Sequence, residues 1–459
     1  MAEARGRECE VAVVIVPLPA QGHLNQLLHL SCLISSYNIT VSFLASPLHT
    51  RQAKARINGV HPHLLAKIHF HQIPLPDFPS PPPDRTSPTK FPSHLCPSFL
   101  ATTAMRQPFA DHVRHISTRY RRVVVVHDSM MSFVVQDVPS IPNAETYALN
   151  CISAFSLSYF AWKPTDSPPP PAAADLFAEL PSFEGSVTDE IQQFTHLQYK
   201  ALNHRSGDLY NTCRLIESPF LETLQIDAGN RKSWAIGPIL PPNPSSKRHH
   251  KSLQWLDKHE PDSVLYISFG TTTTMCDEEI AELAKGLEQS KVKFLWVLRE
   301  ADKGNIFSGE PRRAVLPEGF EQRVEGVGLV VRDWAPQPEI LAHPATGGFV
   351  SHCGWNSCIE SIMMGVAMAA WPMHSDQPAN AALVTRVLKT GLLVRPWSGD
   401  KEVVKASSIE SVVRRLMASE EGDGLRSRAK EVGAAVQRAV QPGGASRLEL
   451  DSFIAHITR

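Results

Sequence analysis

Residues 334–377 read WAPQPEILAHPATGGFVSHCGWNSCIESIMMGVAMAAWPMHSDQ, and the fold is decided in this run. Gly347–Ser351 is a short apolar run of strand type, His352-Cys353-Gly354 is a tight turn, and Trp355–Met364 has helical spacing with Ile359, Ile362 and Met363 as its apolar stripe. A helix that opens at a glycine, with Asn356 and Ser357 in its first turn, presents unpaired N–H groups and the positive end of its dipole, where a phosphate binds. Asn356, Ser357 and Glu360 fall on one helix face, so the Glu360 carboxylate lies one turn in from that phosphate and is placed to accept ribose hydroxyls. Trp334 follows a strand at Leu329–Val331 and is expected to stack on a flat base. A second strand, Val366–Trp371, runs into Pro372–Gln377, a polar loop at a strand's carboxyl end, the place where open parallel sheets bind ligands.

The chain outside this run repeats the pattern. Val11–Val16 is a β-branched run ended by Pro17; a turn carries Gln21-Gly22-His23, and Leu24, Leu27, Leu28, Leu30, Leu33 and Ile34 then mark a helix leading to a strand at Thr40–Ala45. His23 thus sits where strand hands over to helix. Val123–Val126 is another apolar strand, and Asp128, just past its end, points toward the same sheet edge as His23. Pro74–Pro97 and the stretch opening at Pro168–Pro171 are too rich in proline for regular structure and are expected to be loops, with helical spacing resuming near Asp189. Gly237–Arg248 is polar and proline-rich, which predicts a stiff linker; after a short helix around Trp255 the alternation restarts with Val264–Phe269, Gly270, four threonines from Thr271, and a helix bearing Ile280, Leu283, Ala284 and Leu287. Phe294–Leu298 is the next strand, and from Ile409 the chain is mainly helical.

Composition narrows the function. With 459 residues the length prior favours two domains or more, and 45 Lys and Arg against 46 Asp and Glu point to no nucleic acid or anionic membrane as partner. Eight cysteines without CxxC spacing indicate neither a disulfide framework nor a zinc site. The first apolar run is too short for a signal peptide or a membrane span, so a soluble, cytoplasmic protein is expected. No Asp-x-Asp pair offers carboxylates to a divalent metal, and no GxGxxG follows the first strand, which argues against a dinucleotide-dependent oxidoreductase.

Trp-Ala-Pro-Gln at the start, His-Cys-Gly-Trp-Asn-Ser in the middle and Asp-Gln at the end make residues 334–377 similar to the signature box of the plant secondary-product UDP-glycosyltransferases. The resemblance implies an α/β protein of GT-B fold, two Rossmann-like domains with parallel sheets facing across a cleft: residues 1–237 for the acceptor, a linker at 238–252, residues 253–443 for the UDP-sugar, and a helix at 444–459 returning to the first domain. It implies that His23 is the general base and Asp128 its orienting acid, that Ala335 and Gln337 meet uracil and ribose alongside Trp334 and Glu360, that Thr271, His352, Asn356 and Ser357 hold the diphosphate, and that Trp355, Asp376 and Gln377 meet the sugar. No metal and no cofactor beyond the co-substrate UDP-glucose are expected, and the chain is expected to act as a monomer. PLPAQGHLNQLLHLS (17–31), VVVVHDSMMSFVVQDV (123–138) and ASRLELDSFIAHITR (445–459) resemble the zeatin O-glucosyltransferases, which implies a cytokinin hydroxyl as acceptor; a phenolic or terpenoid alcohol is the alternative. A catalytically silent sugar-nucleotide sensor would keep the box but should lack the His and Asp pair.

Overall fold

The computed structural model describes residues 9–56, 62–87, 90–165, 169–170, 173–180, 187–229, 231–240, 250–309, 313–395 and 402–459. Its first half is built on β1 (Cys9–Val16), β2 (Thr40–Ala45), β3 (Ile68–Gln72), β4 (Tyr120–Asp128), β5 (Ala144–Asn150), β6 (Gly207–Tyr210) and β7 (Ser233–Ala235), in the spatial order β3-β2-β1-β4-β5-β6-β7. The second half carries β8 (Val264–Ser268), β9 (Lys293–Val297), β10 (Gly328–Val331), β11 (Thr346–Ser351), β12 (Ala367–Ala370) and β13 (Gly391–Leu393), ordered β10-β9-β8-β11-β12-β13. Every pairing is parallel. Strands buried on both faces account for the continuous apolar runs: Val13 to Val16 and Val123 to Val126 are fully covered by helices on either side.

Both sheets reverse direction between their first strand and the fourth, and at such a switch point the loops part to leave a crevice at the carboxyl edge. In the first sheet the switch lies between β1 and β4, where Val16 is level with His127; in the second it lies between β8 and β11, where Ser268 is level with Ser351. Asp128 ends β4, His23 lies in the first turn of the helix after β1, and the turns after β8 and β11 hold Gly270-Thr271 and His352-Cys353-Gly354.

The chain ends in three helices, Ala406–Met417, Glu420–Val440 and Ala445–Thr458. The last buries Leu450, Phe453, Ile454 and Ile457 in the core of the first sheet, beside Trp234 and Tyr147. Among the described residues no helix is long and apolar enough to cross a membrane.

Two expected loops contain more structure than their prolines suggest. Pro97 stands in the first turn of a helix, Cys96–Ala101, where no backbone N–H is required, and a helix at Ala174–Glu179 lies within the second irregular stretch. The proline-rich segment after β3 also ties the halves together. Arg85 Nε donates to Glu300 at 3.0 Å, Lys90 Nζ to Glu279 at 2.8 Å, and Asn305 N to Ser80 Oγ at 2.8 Å. Of the expected linker, residues 241–249 lie outside the described residues, as do residues 1–8 and parts of the stretch opening at Pro168–Pro171.

Candidate active site

His23 enters the site because the chain leaves β1, turns through Pro17–Ala20 and starts a helix, Gln21–Ser35, whose first-turn N–H of His23 bonds Ala20 O at 2.9 Å. Its Nδ1 lies 2.5 Å from Asp128 Oδ2. A carboxylate only accepts, so Nδ1 carries the hydrogen and Nε2 keeps its lone pair for a substrate. Asp128 is fully buried and held on every side: Oδ1 accepts from Met130 N at 2.9 Å, and the Cys151 thiol donates to Oδ2 at 3.5 Å. The His23 side chain is 26% exposed, enough for a hydroxyl to reach it. Burial alone would lower its pKa, but the Asp128 charge, the hydrogen bond and the charge on Asp376 outweigh burial and leave it raised. Burial would raise the Asp128 pKa, and the His23 charge and hydrogen bonds reverse that, leaving it lowered. Asp111 and Asp137, the other acids of this region, are spent on Arg114 and Arg106.

Nδ1, Oδ2 and the Cys151 sulfur lie within 4.8 Å of one another, a spacing a metal ion could use. Burial, followed by the Asp128 charge, pushes the Cys151 thiol well above its usual range, so it is a hydrogen-bond donor rather than a thiolate ligand.

Across the crevice, the turn after β11 places Cys353 at φ 63°, a left-handed conformation uncommon for a residue with a side chain, and the helix Trp355–Met364 starts immediately after Gly354. His352 packs against Gly270, at φ 72°, and Gly354; a Cβ on either glycine would overlap its ring. Burial pushes the His352 pKa down to about 4, so the ring is neutral, and its Nδ1 is buried with no hydrogen-bond partner among the described residues. Thr271 is half-buried beside it, whereas the hydroxyls of Thr273 and Thr274 are buried and lack partners among the described residues.

The donor-side residues are bonded to one another. Gln337 Nε2 donates to Ser357 Oγ at 3.0 Å and to Glu360 Oε2 at 2.8 Å, while Tyr266 O–H donates to Gln337 Oε1 at 3.2 Å. Burial raises the Glu360 pKa to about 7, with the Gln337 hydrogen bond opposing it. Ala335 is buried directly before this group and gives its carbonyl to Gln337 N.

Three of the expected site residues also have partners within the protein. Trp334 is half-buried, with the guanidinium groups of Arg56 and Arg299 5.0 and 5.3 Å from its ring centroid, and both arginines pair with Asp302. Trp355 is 3% exposed and its Nε1 donates to Asn211 O at 2.8 Å. Gln377 is buried, with Oε1 accepting from Met373 N at 2.8 Å and His374 N at 3.0 Å, which shapes the loop.

Other partners were not expected. Asn356 Nδ2 donates to Gly22 O at 2.8 Å and Gln26 Nε2 donates to Asn356 Oδ1 at 2.6 Å, joining the helix start after β11 directly to the residue before His23. The Asp376 carboxylate is close enough to His23 that each shifts the other's pKa. Gln26 and Asn380 were visible as polar residues inside apolar helical runs, at i+3 from His23 and i+4 from Asp376, but the sequence does not say which neighbour they meet.

An oriented histidine on one parallel α/β half, set against a helix N-terminus and a carboxylate loop on the other, defines a GT-B transferase of a nucleotide-activated sugar. The family model "Glycosyltransferase, N-terminal domain" matches residues 9–241, and "UDP-glucoronosyl and UDP-glucosyl transferase" matches residues 242–398. A zeatin O-glucosyltransferase of Phaseolus lunatus is 50% identical over 458 residues, with 98% of each chain covered. A zeatin O-xylosyltransferase of Phaseolus vulgaris is 48% identical, covering 98% of this chain and 99% of that one, and cis-zeatin O-glucosyltransferase 1 of Zea mays is 42% identical with 98% of each covered. The crystal structure of a ugt transferase from Siraitia grosvenorii in complex with UDP superposes with a TM-score of 0.78 at 27% identity, covering 98% of this chain and 100% of that one. The chain belongs to the UDP-glycosyltransferase family.

Proposed function

We propose that this chain transfers glucose from UDP-glucose to the side-chain hydroxyl of zeatin, favouring cis-zeatin, with inversion at the anomeric carbon to give an O-β-glucoside. The carrying observation is the His23–Asp128 hydrogen bond of 2.5 Å, which leaves Nε2 basic opposite the Asp376 loop. Nε2 takes the hydroxyl proton as the oxygen forms its bond to the anomeric carbon, and the bond from that carbon to the UDP oxygen breaks on the opposite face. A neutral imidazole is too weak to ionise an alcohol beforehand, so transfer and attack go together, and Asp128 stabilises the imidazolium that forms.

UDP leaves with the pair of the broken carbon–oxygen bond on its terminal phosphate oxygen, which gains one unit of negative charge. In this reading the charge is met by the N-terminus of the helix Trp355–Met364, an N–H of His352, and Thr271, Asn356 and Ser357. Glu360 and Gln337 take the ribose, the backbone of Ala335 takes uracil beside Trp334, and Asp376, with the backbone of Trp355, takes the hexose. No divalent ion is required. Residues 1–237 serve the acceptor and 253–443 the donor, joined by 238–252 and strapped by 444–459; the chain acts as a monomer in the cytoplasm. UDP-xylose is the second donor reading, favoured by the 48% identity to the Phaseolus vulgaris xylosyltransferase.

Incubation with UDP-glucose or UDP-xylose and a panel of cis-zeatin, trans-zeatin, isopentenyladenine and a flavonol, followed by mass spectrometry, tests the assignment. Isopentenyladenine has no side-chain hydroxyl and should give no product. Glucosylation of its ring nitrogen, or a flavonol outrunning both zeatins, would overturn the cytokinin reading.

A further inference from the structure

The helix Ala154–Trp162 of the first half meets the helix Gln377–Ala382 of the second, and a buried polar knot lies between them. Its centre is Asn380, with no exposed surface. Nδ2 gives one hydrogen to Asp376 Oδ2 at 2.7 Å and the other to Cys353 O at 2.9 Å. Oδ1 lies 2.7 Å from Ser153 Oγ and 2.8 Å from Ser156 Oγ, both wholly buried. A carbonyl and a carboxylate only accept, so the amide cannot be flipped, and with all four bonding positions used it has a single orientation. Ser153 Oγ in turn accepts from Ser156 N at 3.0 Å as the N-cap of its helix, which fixes the hydroxyls on the first-half side.

One side chain therefore sets the separation of three things: the Asp376 carboxylate, the turn that carries His352, and the acceptor-side helix. We propose that Asn380 is a positioning residue which, with Ser153 and Ser156, holds Asp376 by one oxygen so that the other faces the hexose, and which sets the sugar loop at a fixed distance from His23. This rests on the reading of Asp376 as a sugar contact. A loop misplaced by even 1 Å should then slow transfer far more than it weakens UDP, because the uridine contacts bonded through Gln337, Ser357 and Glu360 stay as they are and the phosphate side loses only the bond to Cys353 O.

The test separates sugar from nucleotide. For Asn380→Ala, kcat/KM for UDP-glucose is expected to fall roughly 10- to 100-fold while the Kd for UDP, measured by calorimetry, changes by no more than about twofold. Equal weakening of UDP and UDP-glucose, or unchanged kcat/KM, would overturn the proposal. Ser156→Ala removes a single hydroxyl and keeps the fold accessible if Asn380→Ala does not express. It should lose roughly 3- to 10-fold in kcat/KM with UDP affinity intact, and its effect should be less than additive with that of Asn380→Ala, since both act through one amide. Asp376→Ala distinguishes the two failures. If it leaves UDP-glucose turnover unchanged, the sugar role of Asp376 is wrong and the proposal goes with it; if it abolishes turnover while Asn380→Ala and Ser156→Ala do not reduce it, only the positioning role is refuted.

Discussion

Replacing Asp128 by Asn exchanges one oxygen for an NH2 and should lower kcat by about three orders of magnitude, for reasons the local bonding makes specific. Asp128 Oδ1 accepts from Met130 N at 2.9 Å, and in the variant only the amide oxygen can fill that place. The NH2 is then turned toward His23, where the wild-type carboxylate stands 2.5 Å from Nδ1. Facing a donor, Nδ1 must become the acceptor and the ring proton moves to Nε2, the nitrogen that should take the substrate's proton. The imidazolium that forms during transfer also loses its counter-charge. With charge centres about 4 Å apart and an effective dielectric constant near 20, that attraction is worth about 4 kcal/mol, or about a thousandfold in rate. The pH profile supplies the independent check. The raised His23 pKa puts the acidic limb of kcat/KM above 6.5, activity rising as the ring loses its proton. In Asp128→Asn the burial that opposes protonation is no longer outweighed, so the limb should move to lower pH. The linked stability has its own sign: the His23 contribution is complete below 6.5 and is lost as pH rises through the raised value, and the Asp128 contribution is present above 3.8 and is lost as pH falls through its lowered value. Steady-state kinetics between pH 5 and 9 at saturating UDP-glucose measure both effects. A kcat within tenfold of wild type, or a limb that does not move, would refute the reasoning.

His23→Ala should abolish transfer yet bind UDP with near-normal Kd by calorimetry, because the base and the nucleotide contacts lie on different sheets; retained turnover would point to another base. Turnover should persist in excess EDTA, and a full loss restored by added magnesium would show that a cation meets the diphosphate charge. Gln377→Ala leaves the buried N–H groups of Met373 and His374 without their acceptor, so stability should fall by about 2–4 kcal/mol, seen as a lower Tm, with kcat/KM for UDP-glucose falling alongside. Cis- and trans-zeatin place the hydroxyl differently relative to the purine, so their kcat/KM values should differ by about tenfold or more, equivalent to about 1.4 kcal/mol, in parallel competition assays.

The sequence by itself determined the architecture and the chemical inventory. Strands covered on both faces need continuous β-branched runs, and helices that cover them need apolar stripes, so Val11–Val16, Val123–Val126, Val264–Phe269 and the alternation within residues 334–377 encode two parallel sheets. The place of His23 after one strand and Asp128 after another was legible for the same reason, since the carboxyl ends of parallel strands share one edge. Short edge strands such as β7, Ser233–Ala235, gave no pattern because three residues cannot show a period. Tertiary structure alone decided which polar groups face the crevice and which are consumed by the protein. Trp355, Gln377 and Trp334 all stand where the motif puts them, yet one gives its indole N–H to Asn211, one gives its amide oxygen to its own loop, and one has two guanidinium groups within 5.3 Å of its ring centroid. Those outcomes turn on hydrogen-bond partners 3 to 144 residues distant along the chain or on cation–ring contacts, that of Arg56 between the halves; Asn356 reaching Gly22 and Asn380 reaching Ser153 are of the same kind. A periodic pattern encodes which face of an element is buried, but a buried amide is directional, and its partner is fixed only when the two halves close on each other.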